Sequence, residues 1–292
     1  MSTLLRMLEE ANVPLSVFCE KLDLSEDQAL EIANTADEDA QMDAYLYFVT
    51  AMNDESLFPE LMEFYAPFVS DKEELAAFIT SALRLRSNNI PRRMLNSVHR
   101  LVTLADAMDE VRPGKDSLKI FYFVVCIETL YSLAGAEMLK YKIVIDFFNQ
   151  FIEADDKRLI LERFRRSLGD ERYRFKQLSH ETETEYKARI NNSDRLSTQI
   201  TMEIFARIIN EIRNCFAHEG NYWNFSFANS DYSMMNSVTV AENHVEFNRK
   251  RDRGNEGQRR VYEVDLTYDQ FKSACIRAFL QFIRAYTKEI NA

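Results

Sequence analysis

Glycine and proline are scarce, 6 and 5 in 292 residues. So few breakers across long periodic stretches argue against a sandwich or barrel and exclude a collagenous or low-complexity chain. Cysteine is sparse as well. Cys19, Cys126, Cys215 and Cys275 stand far apart with no CxxC spacing, which argues against a disulfide framework and a structural zinc site. No P-loop, GxGxxG stretch or credible carboxylate-histidine cluster occurs, so no cofactor and no metal is expected. Long apolar runs are missing too. The longest, Ile120 to Ile127, stops at Glu128 and is too short to cross a bilayer. The opening MSTLLRMLEEANVPL lacks a signal-peptide core. The expectation is a soluble, cytoplasmic protein in a reducing compartment, with no membrane contact.

Apolar material is plentiful. Hydrophobic residues make up 46% and aromatics 12%, enough for a sizeable core and too much for a disordered chain. The length suits one large domain or two modest ones.

Charge is unevenly spread. Residues 1–110 hold 8 Lys/Arg against 21 Asp/Glu, a balance of −13, and residues 111–292 hold 28 against 26, or +2. The acidic part repels a phosphate backbone, so any nucleic-acid work belongs to the later part.

Residues 1–110 read as short helices: one from Leu4, one around Val17 and Phe18, one from Glu26 to Asn34 capped by Ser25, and others over 38–52, 56–66, 71–86 and 90–109. The pair joined by Leu22-Asp23-Leu24-Ser25 has helix-turn-helix length. Its second helix, EDQALEIAN, is acidic and argues against DNA binding. These acidic faces suit solvent or a protein partner, such as an antitoxin or regulator. Val111-Arg112-Pro113-Gly114 is the clearest break, giving an all-helical region 1–112 and a second domain 113–292.

After the break, Asp116 or Ser117 can cap a helix to about Leu133 that is apolar nearly all round, and so must be buried. Glu128 lies inside it. A buried carboxylate needs a partner, so Glu128 is a structural acceptor or a site residue. Residues 136–153 read as a further helix. Residues 155–178 are charge-rich and read as a solvated helix face or as a phosphate-facing strip including Arg165, Arg166 and Arg172. A helix from about Leu196 or Ser197 to His218 follows, with Gly220 as its stop. The pattern then alternates. SVTVAENHVEFN and RRVYEVDL read as a hairpin over about 236–266, with a basic loop over 249–260, before a last helix at about 267–290. The fold expectation is mainly α, a helical bundle with a small β-hairpin.

One constellation carries chemistry. The helix ending at His218 closes on Arg213-Asn214-Cys215-Phe216-Ala217-His218-Glu219-Gly220. Asn214 and His218 are four apart and share a face. The long Arg213 side chain can swing toward the same end. An imidazole can give or take a proton near neutrality, a guanidinium matches a phosphate, and an amide can orient either. These groups suit RNA cleavage: a base takes the 2′-OH proton, the oxygen attacks phosphorus, and an acid protonates the leaving 5′ oxygen. The route needs no metal. One histidine per chain is sparse for two proton transfers, and a symmetric dimer supplies a second.

An Arg followed by a nearby His is uninformative by itself, since it also occurs at Arg92 and Arg93 before His99 and at Arg174 before His180. Only Arg213 is followed by Asn. Arg-Asn-x-x-x-His arises by chance in a chain this long with a probability on the order of one per cent.

This motif, at the end of a long helix followed by Gly, resembles the RNxxxH signature of the HEPN superfamily. The apolar helix around Glu128, Phe123 to Tyr131, resembles the first long HEPN helix, as in the ApeA-like branch. The resemblance covers about residues 115–290; residues 1–110 match no family we can name, and the 236–266 hairpin departs from a minimal HEPN bundle. The resemblance implies a helical bundle that dimerises with its motifs facing each other. It also implies a metal-independent endoribonuclease of prokaryotic toxin–antitoxin or anti-phage systems. By position, Arg213 stabilises the phosphate, His218 is the acid/base, Asn214 orients, and Glu128 supports. Some relatives have lost activity, so the alternative is a silent interaction or dimerisation module.

Other chemistries are weaker. Cys215 and His218 are three apart, but a Cys on a packed helix is commonly a small buried hydrophobe. Tyr222, Trp223 and Phe225 can stack on RNA bases or plug the helix end. His99, His180 and His244 have no partner pattern.

Overall fold

The apolar spacing of the chain dictates helices, and helices dominate. The computed structural model describes residues 2–84, 89–112, 114–167, 182–185, 188, 197–220, 225–229, 234–241, 244–247 and 258–290. Two units divide at Arg92/Arg93.

The first unit opens with α1 (Thr3–Glu10), α2 (Leu15–Leu22) and α3 (Glu26–Asn34). Ser25 caps α3 in a capping box with Gln28, as its position three residues earlier foretells. Asp23 takes the left-handed conformation between α2 and α3, with φ of 52°. The expected helices 38–52 and 56–66 are one helix, α4 (Glu38–Tyr65), which runs through Pro59. Asn53-Asp54-Glu55 is polar but contains no true breaker. Leu57, Leu61 and Tyr65 on either side of the proline are buried, which offsets the hydrogen bond it removes. Leu4, Leu8, Phe18, Leu22, Ala29 and Phe48 form the core of α1–α4. Gln41 is buried there with both ends satisfied: it accepts from the Leu4 N–H at 2.9 Å and donates to the Thr35 carbonyl at 2.8 Å. A short 3₁₀ turn (Ala66–Phe68) leads to α5 (Lys72–Arg84).

The second unit takes most of α6 (Ile90–Val111). The expected boundary at 112/113 falls inside this unit, next to Gly114, whose φ is +69°. Polar ties explain why α6 belongs here. Asp106 accepts from the Tyr268 hydroxyl at 2.7 Å and from Lys272 at 2.9 Å, and Asp109 pairs with Lys119 at 2.8 Å. α7 (Asp116–Leu133), α8 (Lys140–Gln150), α10 (Met202–Glu219) and α11 (Tyr268–Ile290) form a helical bundle, with α9 (Ala154–Arg163) between α8 and the sheet in sequence. α7 agrees with its expected limits, but Asp116 does not cap it. Its carboxylate instead accepts from the Phe227 N–H at 2.8 Å. Phenylalanines fill the centre: Phe205 lies 5.3 Å from Phe148 and 5.2 Å from Phe164, and Phe271 lies 5.1 Å from Phe123.

The sheet is larger than the hairpin expected. β1 (Phe164–Ser167), β2 (Ser197–Gln199), β3 (Met234–Ala241), β4 (His244–Phe247) and β5 (Gln258–Val264) are ordered β2-β1-β5-β3-β4, every pair antiparallel. β3 pairs with β5 as foreseen. SVTVAENHVEFN is not one strand, however; it folds back on itself as β3 and β4. The charged segment after α9 contributes β1, because Phe164 turns inward onto Phe205 and Tyr262 while Arg165 and Arg166 join the ladder. Ser197–Gln199 pairs with it, so α10 starts at Met202, later than expected, and Thr201 caps it by accepting from the Ile204 N–H. Among the described residues no helix is long and apolar enough to cross a membrane.

Candidate active site at the end of α10

α10 ends where Gly220 adopts the left-handed conformation, φ 61° and ψ 17°, and its N–H bonds back to the carbonyls of Cys215 and Phe216. That stop places the motif on the last two turns. α7 and α10 run antiparallel: Glu128 meets Arg213, and nearer the α10 end Phe121 meets Phe216 at 4.8 Å.

Arg213 turns inward. It is 9% exposed, and its Nη2 donates to Glu128 Oε2 at 2.8 Å. Nη1 donates to Asn214 Oδ1 at 3.2 Å, and Asn214 Nδ2 donates to Glu211 Oε2 at 3.4 Å. Carboxylate, guanidinium, amide and carboxylate thus form one chain. Both ions of the Arg213–Glu128 pair are largely removed from water, so each needs the other. Arg213 Nε and Glu128 Oε1 are buried and have no hydrogen-bond partner among the described residues.

His218 is exposed on the last turn. Five residues separate it from Arg213, about 140° around a helix. The Arg213 side chain therefore does not swing toward the end of the helix as expected. Asn214 and His218 share the outer face, and the guanidinium lies behind them, oriented by Glu128. Cys215 is buried while His218 is exposed, which does not suit a Cys–His nucleophile; its Sγ lies 3.8 Å from Glu211 Oε1. Burial also pushes the Cys126 and Cys275 thiols well above their ordinary range, and they belong to the core.

The remaining expected contacts are scattered. Arg165 and Arg166 are neighbours on β1 and so project to opposite faces of the sheet. Arg172, Trp223, Tyr222, His180 and most of the 249–260 loop lie outside the described residues. Phe225 is buried and stacks on Phe164 at 6.2 Å, so it serves as packing. Glu211 joins the site without having been singled out from the sequence. The signal was present: it lies three residues before Asn214 and four before Cys215, the spacing of helix-face neighbours.

No protein-family model, no curated protein and no solved structure matches the chain.

Proposed function

We propose that the chain is a homodimeric, metal-independent endoribonuclease of HEPN type, a cytoplasmic toxin or anti-phage effector of prokaryotes. The observation that carries this reading is that Asn214 and His218 share the outer face at the end of α10, with the Arg213 guanidinium directly behind them, hydrogen-bonded to Asn214 and held by Glu128 of α7. In this mechanism His218 of one subunit removes the 2′-OH proton and its symmetry copy protonates the leaving 5′ oxygen. Arg213 stabilises the charge developing on the phosphoryl oxygens, and Asn214 orients the guanidinium. A partly exposed apolar row on α7, Leu118, Phe121, Tyr122 and Val125, runs beside the motif and supports a two-fold interface there. All four cysteines are buried, and none is paired in a disulfide.

One observation favours a second reading. Arg213 is buried and already neutralised by Glu128, which suits a structural ion pair in a silent interaction module. Purified protein incubated with total RNA in EDTA separates the two. Cleavage by the wild type that disappears in both Arg213→Lys and His218→Ala supports the nuclease. Intact RNA under every condition, with a stable dimer, supports the module.

A further inference from the structure

On α4, residues four apart line up along surface ridges. One ridge carries Asp39, Asp43 and Tyr47, and the adjoining one carries Met42, Leu46 and Thr50. Leu46 is 53%, Tyr47 48% and Met42 39% exposed. Asp39 and Asp43 are exposed beside them. These side chains do no work in the core, because Gln41 and Phe48 bury the inner face and Ala44 and Tyr45 pack along it. Isolated apolar residues on a surface are ordinary, but three adjoining ones framed by carboxylates are the mark of a docking face.

Charge decides the occupant. Residues 1–92 hold 6 Lys/Arg against 18 Asp/Glu, a balance of −12. Nucleic acid and anionic lipid are repelled by such a surface. A second copy docking through the same face offers these carboxylates no counter-charge, because α4 carries no Lys or Arg. A helix with apolar residues at i, i+3 and i+4 and with Lys or Arg on its flanks matches both ridges. We propose that the outer face of α4 docks a basic amphipathic helix of a partner protein. This inference is independent of the RNA-cleavage reading.

The test uses the full chain and a fluorescein-labelled Lys/Leu peptide of about eighteen residues with helical apolar spacing. Two controls accompany it: a twin with Glu for Lys, and one with Ser for Leu. Binding is read as anisotropy at low and high salt. The Lys/Leu peptide is expected to bind and both controls to fail. Leu46→Ser/Tyr47→Ser should weaken binding about tenfold or more. Asp39→Asn/Asp43→Asn should weaken it several-fold and flatten its salt dependence. Asp71→Asn/Glu73→Asn, which removes equal charge elsewhere on the unit, should change little. All these positions are exposed, and circular dichroism checks that the helices persist. Absence of binding overturns the proposal. So does equal weakening by the Asp71/Glu73 variant, which would reduce the effect to general attraction toward an acidic surface.

Discussion

Arg213 Nη2 donates to Glu128 Oε2 across 2.8 Å although 85 positions separate the two residues. Each is the other's counter-charge in a place with little water. Glu128→Ala leaves the guanidinium buried and alone, and should lower unfolding stability in urea by about 3–5 kcal/mol. Glu128→Gln keeps an acceptor and should cost less. Replacing both residues by Leu should recover most of the loss. A Glu128→Ala protein as stable as wild type would show that the pair contributes nothing.

Gly220 has a φ of +61°, and a Cβ built there would meet nothing within 4 Å. Substitution therefore strains only the backbone. Gly220→Ala should cost about 1 kcal/mol, and Gly220→Asn less, because Asn tolerates the left-handed region. The strain falls on the turn that carries His218. Amide exchange of Phe216 to Glu219 should quicken in Gly220→Ala while that of α7 stays unchanged; unaltered exchange would mean that the turn holds without its stop.

Phe205 anchors the motif helix from its other end, touching Phe148 of α8 and Phe164 of β1. It is wholly buried. Phe205→Ala should destabilise by about 3–5 kcal/mol. Phe205→Leu should recover about half of that and keep the helix in place. Thermal unfolding of the two variants reads the difference.

Two tyrosines predict the alkaline limit. Tyr268 is pushed far above its ordinary range, first by burial and then by its hydrogen bond to Asp106. Tyr131 is raised in the same way, by burial and by its hydroxyl bond to Asp146 at 2.6 Å. The folded chain keeps these protons after the unfolded chain, with an ordinary tyrosine pKa of about 10, begins to lose them. The folded state then binds more protons, so stability falls as pH rises above about 10 and is unaffected by these groups below it. Tyr131→Phe and Tyr268→Phe should each flatten that fall in urea titrations at alkaline pH. An unchanged slope in both would remove the tyrosines as its cause.

Much of this was legible in the sequence because it is local. Period-3.6 apolar spacing set α7 and α11 close to their final limits, and Gly220 marked the end of α10. Sequence spacing also put Asn214 and His218 on one helix face. The β1 strand was missed because its two arginines hid a four-residue element whose only apolar anchor is Phe164. The Asn53–Glu55 interruption of α4 was overread because polarity resembles a loop when burial on both sides cannot be seen.

By itself the sequence determined where most helices lie, the acidic character of the first unit and the motif, since these depend on neighbours within a few residues. It also required a partner for Glu128, because a carboxylate inside an apolar helix cannot stand alone. Only the tertiary structure decided that the partner is Arg213, that the guanidinium faces inward while His218 faces out, and that β1 and β2 extend the sheet. Those outcomes depend on packing between segments far apart in the chain, where local periodicity carries no information.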